Sequence, residues 1–311
     1  MLPSESRLCA VSVDLDEIPN YFAIHGLKPP GGSEAHAVYR TALARFDDLA
    51  VAEGIPLTFF AVASDLRLRE NALALRRLVG RGHEVSNHSF DHLYDITRLD
   101  RGAMWYQVVD SARLIEASVG VKPVGFRAPG YVITDALMEV LSEAGVLYDS
   151  SVFPCPLYYG AKAVALGLIS ARLRSSHSIL GSPRVLLAPT LPYRVGGSYF
   201  RRGGGFVEFP IQVTRGLRFP YIGTSLVLAG RHGAGVLTRM VVGEPFINLE
   251  LHGIDLLDES DGLGGLVGTQ PDVTVSVERK LAVFSGVVRR LRGAGYSFVR
   301  LDEAARCYSG R

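Results

Sequence analysis

Short apolar runs alternate with amphipathic helical patterns along the first half of the chain. Runs typical of buried strands lie at residues 8–15 (LCAVSVDL), 57–62 (LTFFAV), 83–88 (HEVSNH), 123–129 (PVGFRAP) and 146–151 (VLYDSS). Helical patterns fall between them, at residues 35–53, 69–81, 99–118 and 134–144. Strands that alternate with helices of this length predict a parallel sheet. The number of such units favours an α/β barrel, with residues 1–311 forming a single domain.

The second half of the chain departs from this alternation. We predict an insertion at about residues 155–200, followed by a hairpin at 196–214 whose turn contains the glycines at 203–205. Residues 158–173 (YYGAKAVALGLISARL) are apolar, with Lys162, Arg172 and Arg174 at the edges. This stretch either packs against the barrel or lies on a membrane surface near a lipid-linked sugar. The C-terminal residues 277–308 predict a last helix and strand with no catalytic group.

Composition limits the classes of protein that fit. The chain has 311 residues, 48% of them hydrophobic, which is enough for a large core. Its 33 Lys and Arg residues nearly balance its 31 Asp and Glu residues, so no overall charge predicts a nucleic-acid partner. Cys9, Cys155 and Cys307 form no C-x-x-C pair, a usage typical of a reducing compartment. The N-terminal residues lack a secretory pattern and no apolar run is long enough to span a bilayer, so we expect a cytoplasmic protein.

Polar residues collect at the ends of the predicted strands. The clearest are two histidines four residues apart, His88 and His92, a spacing that places two side chains on one helical face. The others are Asp14, Asp16, Arg127, Asp149 and His252. Each alone has an ordinary structural explanation, such as a cap, a solvated loop or a structural histidine. Their joint position favours a site, because barrel chemistry lies at the C-terminal ends of strands.

Five motifs occur in an order that resembles the polysaccharide deacetylase family, carbohydrate esterase family 4, with its NodB homology domain. They are SVDLDE (12–17), GHEVSNHSFDH (82–92), GFRAPGY (125–131), YDSSVFP (148–154) and INLELHGID (247–255). The resemblance is greatest to the branch with exopolysaccharide and intracellular peptidoglycan deacetylases and metal-free allantoinase-like members. It implies a distorted (β/α)7 barrel, with an insertion before the last motif, that hydrolyses the N-acetyl or formyl amide of an amino sugar.

The resemblance also implies the metal centre and the base. By position, Asp16, His88 and His92 resemble the metal ligands, and Asp14 resembles the general base. An aspartate and two neutral imidazoles suit Zn²⁺ or another divalent transition metal and leave a coordination position open. Leu15 separates the two aspartates, whereas the commoner family pattern has them adjacent, so the choice of carboxylate for each role stays open.

Further residues take supporting roles by the same resemblance. Arg127 resembles the arginine that holds the base carboxylate ionised, and His252 resembles the acid that protonates the leaving amine. Either Asp149 or Asp255 is expected to orient His252. Gly130 stands where many members carry an aromatic residue whose backbone N–H serves the oxyanion hole, and a backbone donor survives that change.

Three functions are compatible with these residues. The leading one is a metal-dependent hydrolase of non-peptide carbon–nitrogen bonds, acting on an amino sugar in a glycan or in a lipid-linked precursor. The alternatives are an allantoinase-like cyclic amide hydrolase and a non-catalytic sugar-binding protein on the same barrel. Peripheral membrane contact and homo-oligomerisation both stay open.

Overall fold

Nine strands form one mixed sheet in the computed structural model, which describes residues 7–171 and 175–310. In chain order they are β1 (Arg7–Asp14), β2 (Thr58–Ala61), β3 (Glu84–Asn87), β4 (Gly125–Phe126), β5 (Tyr148–Asp149), β6 (Tyr193–Val195), β7 (Arg202–Glu208), β8 (Phe246–His252) and β9 (Tyr296–Phe298). The strands of the predicted alternation are all present. Strand β4 is much shorter than its sequence pattern, because the chain leaves the sheet after Phe126 and enters the site described below.

Ten α-helices pack around or beside this sheet. They are α1 (Ile18–Ile24), α2 (Leu43–Glu53), α3 (Arg69–Gly80), α4 (Arg101–Trp105), α5 (Ser111–Val119), α6 (Asp135–Ala144), α7 (Pro156–Ala171), α8 (Gly223–Val241), α9 (Val277–Gly293) and α10 (Leu301–Ser309). The two longest predicted helices contain a π-helical turn each, at Val38–Ala42 and Tyr106–Asp110. None of the helices in the described residues is long and apolar enough to cross a bilayer.

Seven strands run parallel in the order β7-β5-β4-β3-β2-β1-β8, which confirms the predicted seven-stranded α/β fold. The first and last motifs become neighbours because β1 pairs with β8 along its whole length. The other edge of β1 pairs with β9 near its start and with β2 near its end. On the other side of β8, Glu250 forms an isolated parallel β-bridge with Ile222.

The central strands are buried on both faces. In β1 every residue after Arg7 is buried, the near-continuous pattern typical of a parallel sheet covered by helices. The largest cluster of the core lies between this part of the sheet and helices α2, α8 and α9, with Phe46, Leu249 and Phe284 among its members. The C-terminal ends of these strands are thereby held on a rigid base.

The predicted hairpin is present, but its glycines lie elsewhere than expected. β6 pairs antiparallel with β7, and Gly203 to Gly205 belong to β7 rather than to the turn. A Cβ atom at Gly203 would lie 2.3 Å from the Cα atom of Gly196. The two backbones approach so closely that this position has no room for a side chain, which explains a glycine within a strand.

The predicted apolar helix is α7, which connects β5 to the hairpin. None of its residues is buried, and its contact with the core is limited to partly buried residues such as Tyr158 and Tyr159, which pack against neighbouring apolar clusters. Arg172 and Arg174, which we expected at the edge of this stretch, lie outside the described residues.

Candidate active site

The C-terminal ends of the parallel strands bring the motif residues together. Asp14 ends β1 and His252 ends β8, and the two are direct partners in the register of these strands. His88 follows β3, and Arg127 follows β4. Because parallel strands all end at one edge of the sheet, residues from distant motifs share one site.

A cavity of about 410 Å³ opens over these residues. Asp14, Asp16, His88 and His252 line its polar part. Four tyrosines and a lysine line the remainder, together with aliphatic residues: Tyr21, Tyr94, Tyr131, Tyr158 and Lys162. Aromatic walls around a small polar centre are typical of a site for an amphipathic small molecule or sugar.

Asp16, His88 and His92 converge on one point. Oδ1 of Asp16 lies 3.0 Å from Nε2 of His88 and 2.9 Å from Nε2 of His92. Burial alone would raise the pKa of Asp16, but His92 and His88 outweigh it and hold that pKa well below its ordinary value. All three side chains are buried, and their ligand atoms lie within 4.8 Å of one another.

These three groups fit a divalent metal ion. Oδ1 of Asp16 and both ring nitrogens of His92 are buried without a hydrogen-bond partner among the described residues. Unpaired buried polar atoms are costly, so a cation is the natural partner for them. The Nδ1 atom of His88 lies 2.8 Å from the carbonyl oxygen of Arg127, which leaves Nε2 free to bind a metal.

The two histidines meet through a loop and not through a helix. The expectation of a shared helical face was wrong, because the backbone after β3 takes left-handed conformations at Ser89 and His92, with φ values of 69° and 55°. Asn87 Oδ1 accepts a hydrogen bond from Ser89 N, and Ser89 Oγ accepts one from His92 N. Gln107 further holds the loop by accepting two backbone N–H groups through its Oε1 atom. These bonds fix both imidazoles without helical geometry.

Asp14 is held by a buried arginine, as the family resemblance implies. Arg127 Nη1 donates to Asp14 Oδ1 at 2.5 Å, and its Nη2 donates to Ser12 Oγ and Ser150 Oγ. The guanidinium also stacks over the ring of Phe60. Burial raises the pKa of Asp14, and the opposing effect of Arg127 does not fully offset it. Asp14 is thus a better proton acceptor than an ordinary aspartate.

His252 has a carboxylate partner that the motifs did not reveal. Its Nδ1 atom lies 2.9 Å from Oε1 of Glu250, a fully buried residue on the same strand. Burial lowers the pKa of His252, but the charge and hydrogen bond of Glu250 more than compensate and leave it well above its ordinary value. The Nε2 atom lies 3.2 Å from the hydroxyl of Tyr131.

Neither carboxylate that we expected beside the imidazole of His252 contacts it. Asp255 accepts a hydrogen bond from the backbone N–H of His252 at 2.8 Å and so orients the main chain. Asp149 instead accepts from Ser151, whose hydroxyl in turn accepts the backbone N–H of Ala128. The correction follows from strand geometry: residues two apart on a strand point to the same side, so Glu250 accompanies His252.

Gly130 lies at the rim of the cavity in a conformation that other residues rarely adopt. Its φ is 61°, and a Cβ atom there would lie 2.8 Å from the ring of Tyr94. Its carbonyl oxygen accepts a hydrogen bond from Nζ of Lys162 on α7 at 3.0 Å. Burial lowers the pKa of Lys162 to about 8. This contact ties α7 to the loop that carries Arg127.

Comparison with known proteins agrees with the motifs. Residues 25–148 match the family model described as polysaccharide deacetylase, a stretch that contains His88, His92 and Arg127. This stretch of the chain is similar to the polysaccharide deacetylase family. A peptidoglycan-N-acetylglucosamine deacetylase of Bacillus cereus is 32% identical over 88 residues, which are 28% of this chain and 39% of that protein. The chain thus matches about two fifths of that relative's length.

Solved structures support the fold over the whole chain. A Mycobacterium smegmatis protein described as a polysaccharide deacetylase superposes with a TM-score of 0.63 at 16% identity, over 100% of this chain and 93% of that one. Puue allantoinase superposes with a TM-score of 0.61 at 17% identity, over 99% and 92%. At these identities the two structures establish only the fold, which this chain shares with them.

Proposed function

We propose that the protein is a metal-dependent hydrolase that removes the N-acyl group, an acetyl group in the simplest case, from an amino sugar. The observation that carries the proposal is the convergence of three metal donors, Asp16, His88 and His92, beside a cavity that the carboxylate of Asp14 and the imidazole of His252 also line. Asp16 and His92 have buried donor atoms with no hydrogen-bond partner among the described residues. A sugar-binding protein would need none of these groups. The tyrosine walls of the cavity support a sugar as the substrate, since aromatic rings bury the apolar faces of sugars.

The roles follow from the position of each group. Asp16, His88 and His92 would hold the ion, which when bound supplies a Lewis acid for the amide oxygen and for water. Asp14 takes a proton from the attacking water, and Arg127 holds one of its oxygens so that the other faces the cavity. His252 gives a proton to the amine nitrogen as the carbon–nitrogen bond breaks. The products are a carboxylic acid and a free amino sugar.

Asp16 binds metal and Asp14 acts as the base in this proposal, although a leucine separates them. Asp16 Oδ1 contacts both histidines, while Asp14 Oδ2 lies 3.8 Å from Nε2 of His88 and its other oxygen is taken by Arg127. These distances support Asp16 as the metal ligand and Asp14 as the base. The residue between them, Leu15, is buried in the core and turns away from the cavity.

Metal content and turnover, measured on the same variants, test the assignment. Asp16→Asn should lose stoichiometric zinc and all activity. Asp14→Asn should keep zinc but release acetate from N-acetylated amino-sugar oligomers at a rate lowered by about 10² or more. Asp95→Asn, an exposed carboxylate in the loop after His92, is the matched control and should change neither property.

The reverse pattern, with zinc lost from Asp14→Asn and kept by Asp16→Asn, would exchange the two roles. The allantoinase-like alternative is tested with the same preparations. Ring opening of allantoin by metal-free protein, without acetate release from any amino sugar, would replace the proposed function.

A further inference from the structure

Helix α7 exposes an apolar surface at the mouth of the cavity. Val164 and Leu168 are 64% and 56% exposed, and Lys162 is the one charged residue of the helix. Apolar residues on a surface helix normally face the core, so a helix that is apolar on all sides needs another apolar partner. At 16 residues, α7 is roughly 24 Å long, too short to cross a bilayer.

Two neighbouring segments extend this surface. The thiol of Cys155, at the start of α7, donates to the carbonyl oxygen of Arg218 at 3.1 Å, and the Arg218 guanidinium donates to the carbonyl oxygen of Leu186 at 2.7 Å. Beside these contacts, Leu187 and Leu217 are 71% and 70% exposed. We call the combined surface the apolar rim, which consists of Leu157, Val164, Leu168, Leu187 and Leu217.

The chain around the apolar rim is strongly basic. Between Asp149 and Glu244 the sequence contains eleven Lys and Arg residues and a single acidic residue, Glu208, which is fully buried. Arg184 is exposed in the same segment as Leu187. Arg215, in the same segment as Leu217, is also exposed but pairs with Glu244 at 2.6 Å. The near balance of charge over the whole chain conceals this local excess.

This combination of charge and hydrophobicity selects one partner. A second copy of the chain would present the same positive charge, and like charges across an interface oppose association. An anionic bilayer offers apolar chains for the leucines and negative headgroups for the arginines. We infer that the apolar rim lies on an anionic lipid surface, with the cavity opening beside it.

Helix α7 connects this surface to the site. Tyr158 and Lys162, on its inner side, line the cavity, while Val164 and Leu168 face outward. A substrate held at the headgroup level would therefore enter beside α7. The membrane contact itself does not rest on the proposed function, whereas the corollary that the substrate is an amino sugar carried on a lipid does.

Vesicle co-sedimentation tests the contact directly and without turnover. The full chain should pellet with vesicles of phosphatidylcholine and phosphatidylglycerol (3:1), and raising the salt from 50 to 500 mM should weaken binding. Val164→Glu and Leu168→Glu should each reduce binding about tenfold or more. Val51→Glu is the matched control, because Val51 is 68% exposed but lies on α2, and it should bind as the unmodified chain does.

Three results would overturn the inference. They are no pelleting with the anionic vesicles, equal pelleting with vesicles of phosphatidylcholine alone, and unchanged binding by both glutamate variants. Dimerisation that Leu168→Glu abolishes, without vesicle binding, would assign the apolar rim to a second copy instead. Acetate release from a water-soluble amino-sugar oligomer tests the reaction separately, so failure of one proposal leaves the other standing.

Discussion

Glu250 determines how His252 ionises, because it is a buried carboxylate 2.9 Å from the imidazole. The raised pKa keeps His252 protonated at higher pH than an ordinary histidine, so activity that needs the proton should fall only as the pH rises through that pKa. Glu250→Gln removes the charge that raises the pKa. The alkaline limb of the pH profile of kcat/KM should therefore move to lower pH.

The expected change in kcat/KM depends on how far the pKa of His252 falls when the charge of Glu250 is removed. At a pH above the original pKa of His252, kcat/KM should be roughly tenfold lower for each pH unit by which the alkaline limb moves. His252→Ala should remove the limb, keep the metal and lower kcat by about 10² to 10⁴. Glu259→Gln, an exposed glutamate beyond the site, should leave the profile unchanged. An alkaline limb at its normal position in Glu250→Gln would exclude this role for Glu250.

At the scale of residues, the sequence predicted the site residues that occupy recognisable motif positions. The group Asp16, His88 and His92 could be predicted because family order marks each position. Glu250 was not predicted, since Asp149 or Asp255 was expected to orient His252 and the two-residue period of the strand was not applied. The period was available, because INLELH is a strand pattern in which Glu250 and His252 share a face.

At the scale of elements, the hairpin β6-β7 offers a paired test of the glycine run. Gly203→Val would place its Cβ atom against the backbone of Gly196, which cannot rotate away as a side chain can. Overpacking of this kind costs about 1 to 3 kcal/mol, so the apparent melting temperature should fall by several degrees. Differential scanning calorimetry at one scan rate provides the measurement.

The adjacent glycine supplies the comparison. Gly204 lies in the same strand, and a Cβ atom there would meet nothing within 4 Å. Gly204→Val should therefore leave the melting temperature unchanged or raise it slightly, because valine suits a strand better than glycine does. Equal losses in both variants would mean that the close approach of the backbones does not explain the glycine at position 203.

Strands and helices could be predicted where the hydrophobic period and the length of the segment indicate the same type of element. The strands and helices of the first half were identified by alternation, but the π-helical turns at Val38–Ala42 and Tyr106–Asp110 leave no periodic signal. The glycines of β7 were assigned to a turn because three glycines together usually mark one. Their actual cause is the partner strand, which a local pattern does not contain.

At the scale of the whole molecule, protection from hydrogen exchange should differ between two helices of similar length. α7 has 16 residues and none is buried, while α9 has 17 and buries seven. Local opening is easiest where few contacts are lost, so α7 amides should exchange at least about tenfold faster than α9 amides in the absence of lipid. Amides of β1, bonded along both edges, should be slower still.

Mass spectrometry of deuterated peptides from the full chain makes this comparison. Equal protection of α7 and α9 would show that α7 has a partner in solution. The basic stretch around α7 was itself readable from the sequence. The net charge of the whole chain does not reveal this stretch, because acidic residues elsewhere in the sequence cancel its positive charge.

The register that places Asp14 opposite His252 also has a consequence for biosynthesis. A nascent chain that has emerged as far as β5 contains Asp14, Asp16, His88, His92 and Arg127, but neither Glu250 nor His252. The edge of β1 that pairs with β8 stays unpaired until β8 leaves the ribosome. Contacts between the two ends of a chain form slowly, so His252, the proposed proton donor, joins the site in a late step of folding. The incomplete chain can gather metal ligands before it has the imidazole that completes the proposed reaction.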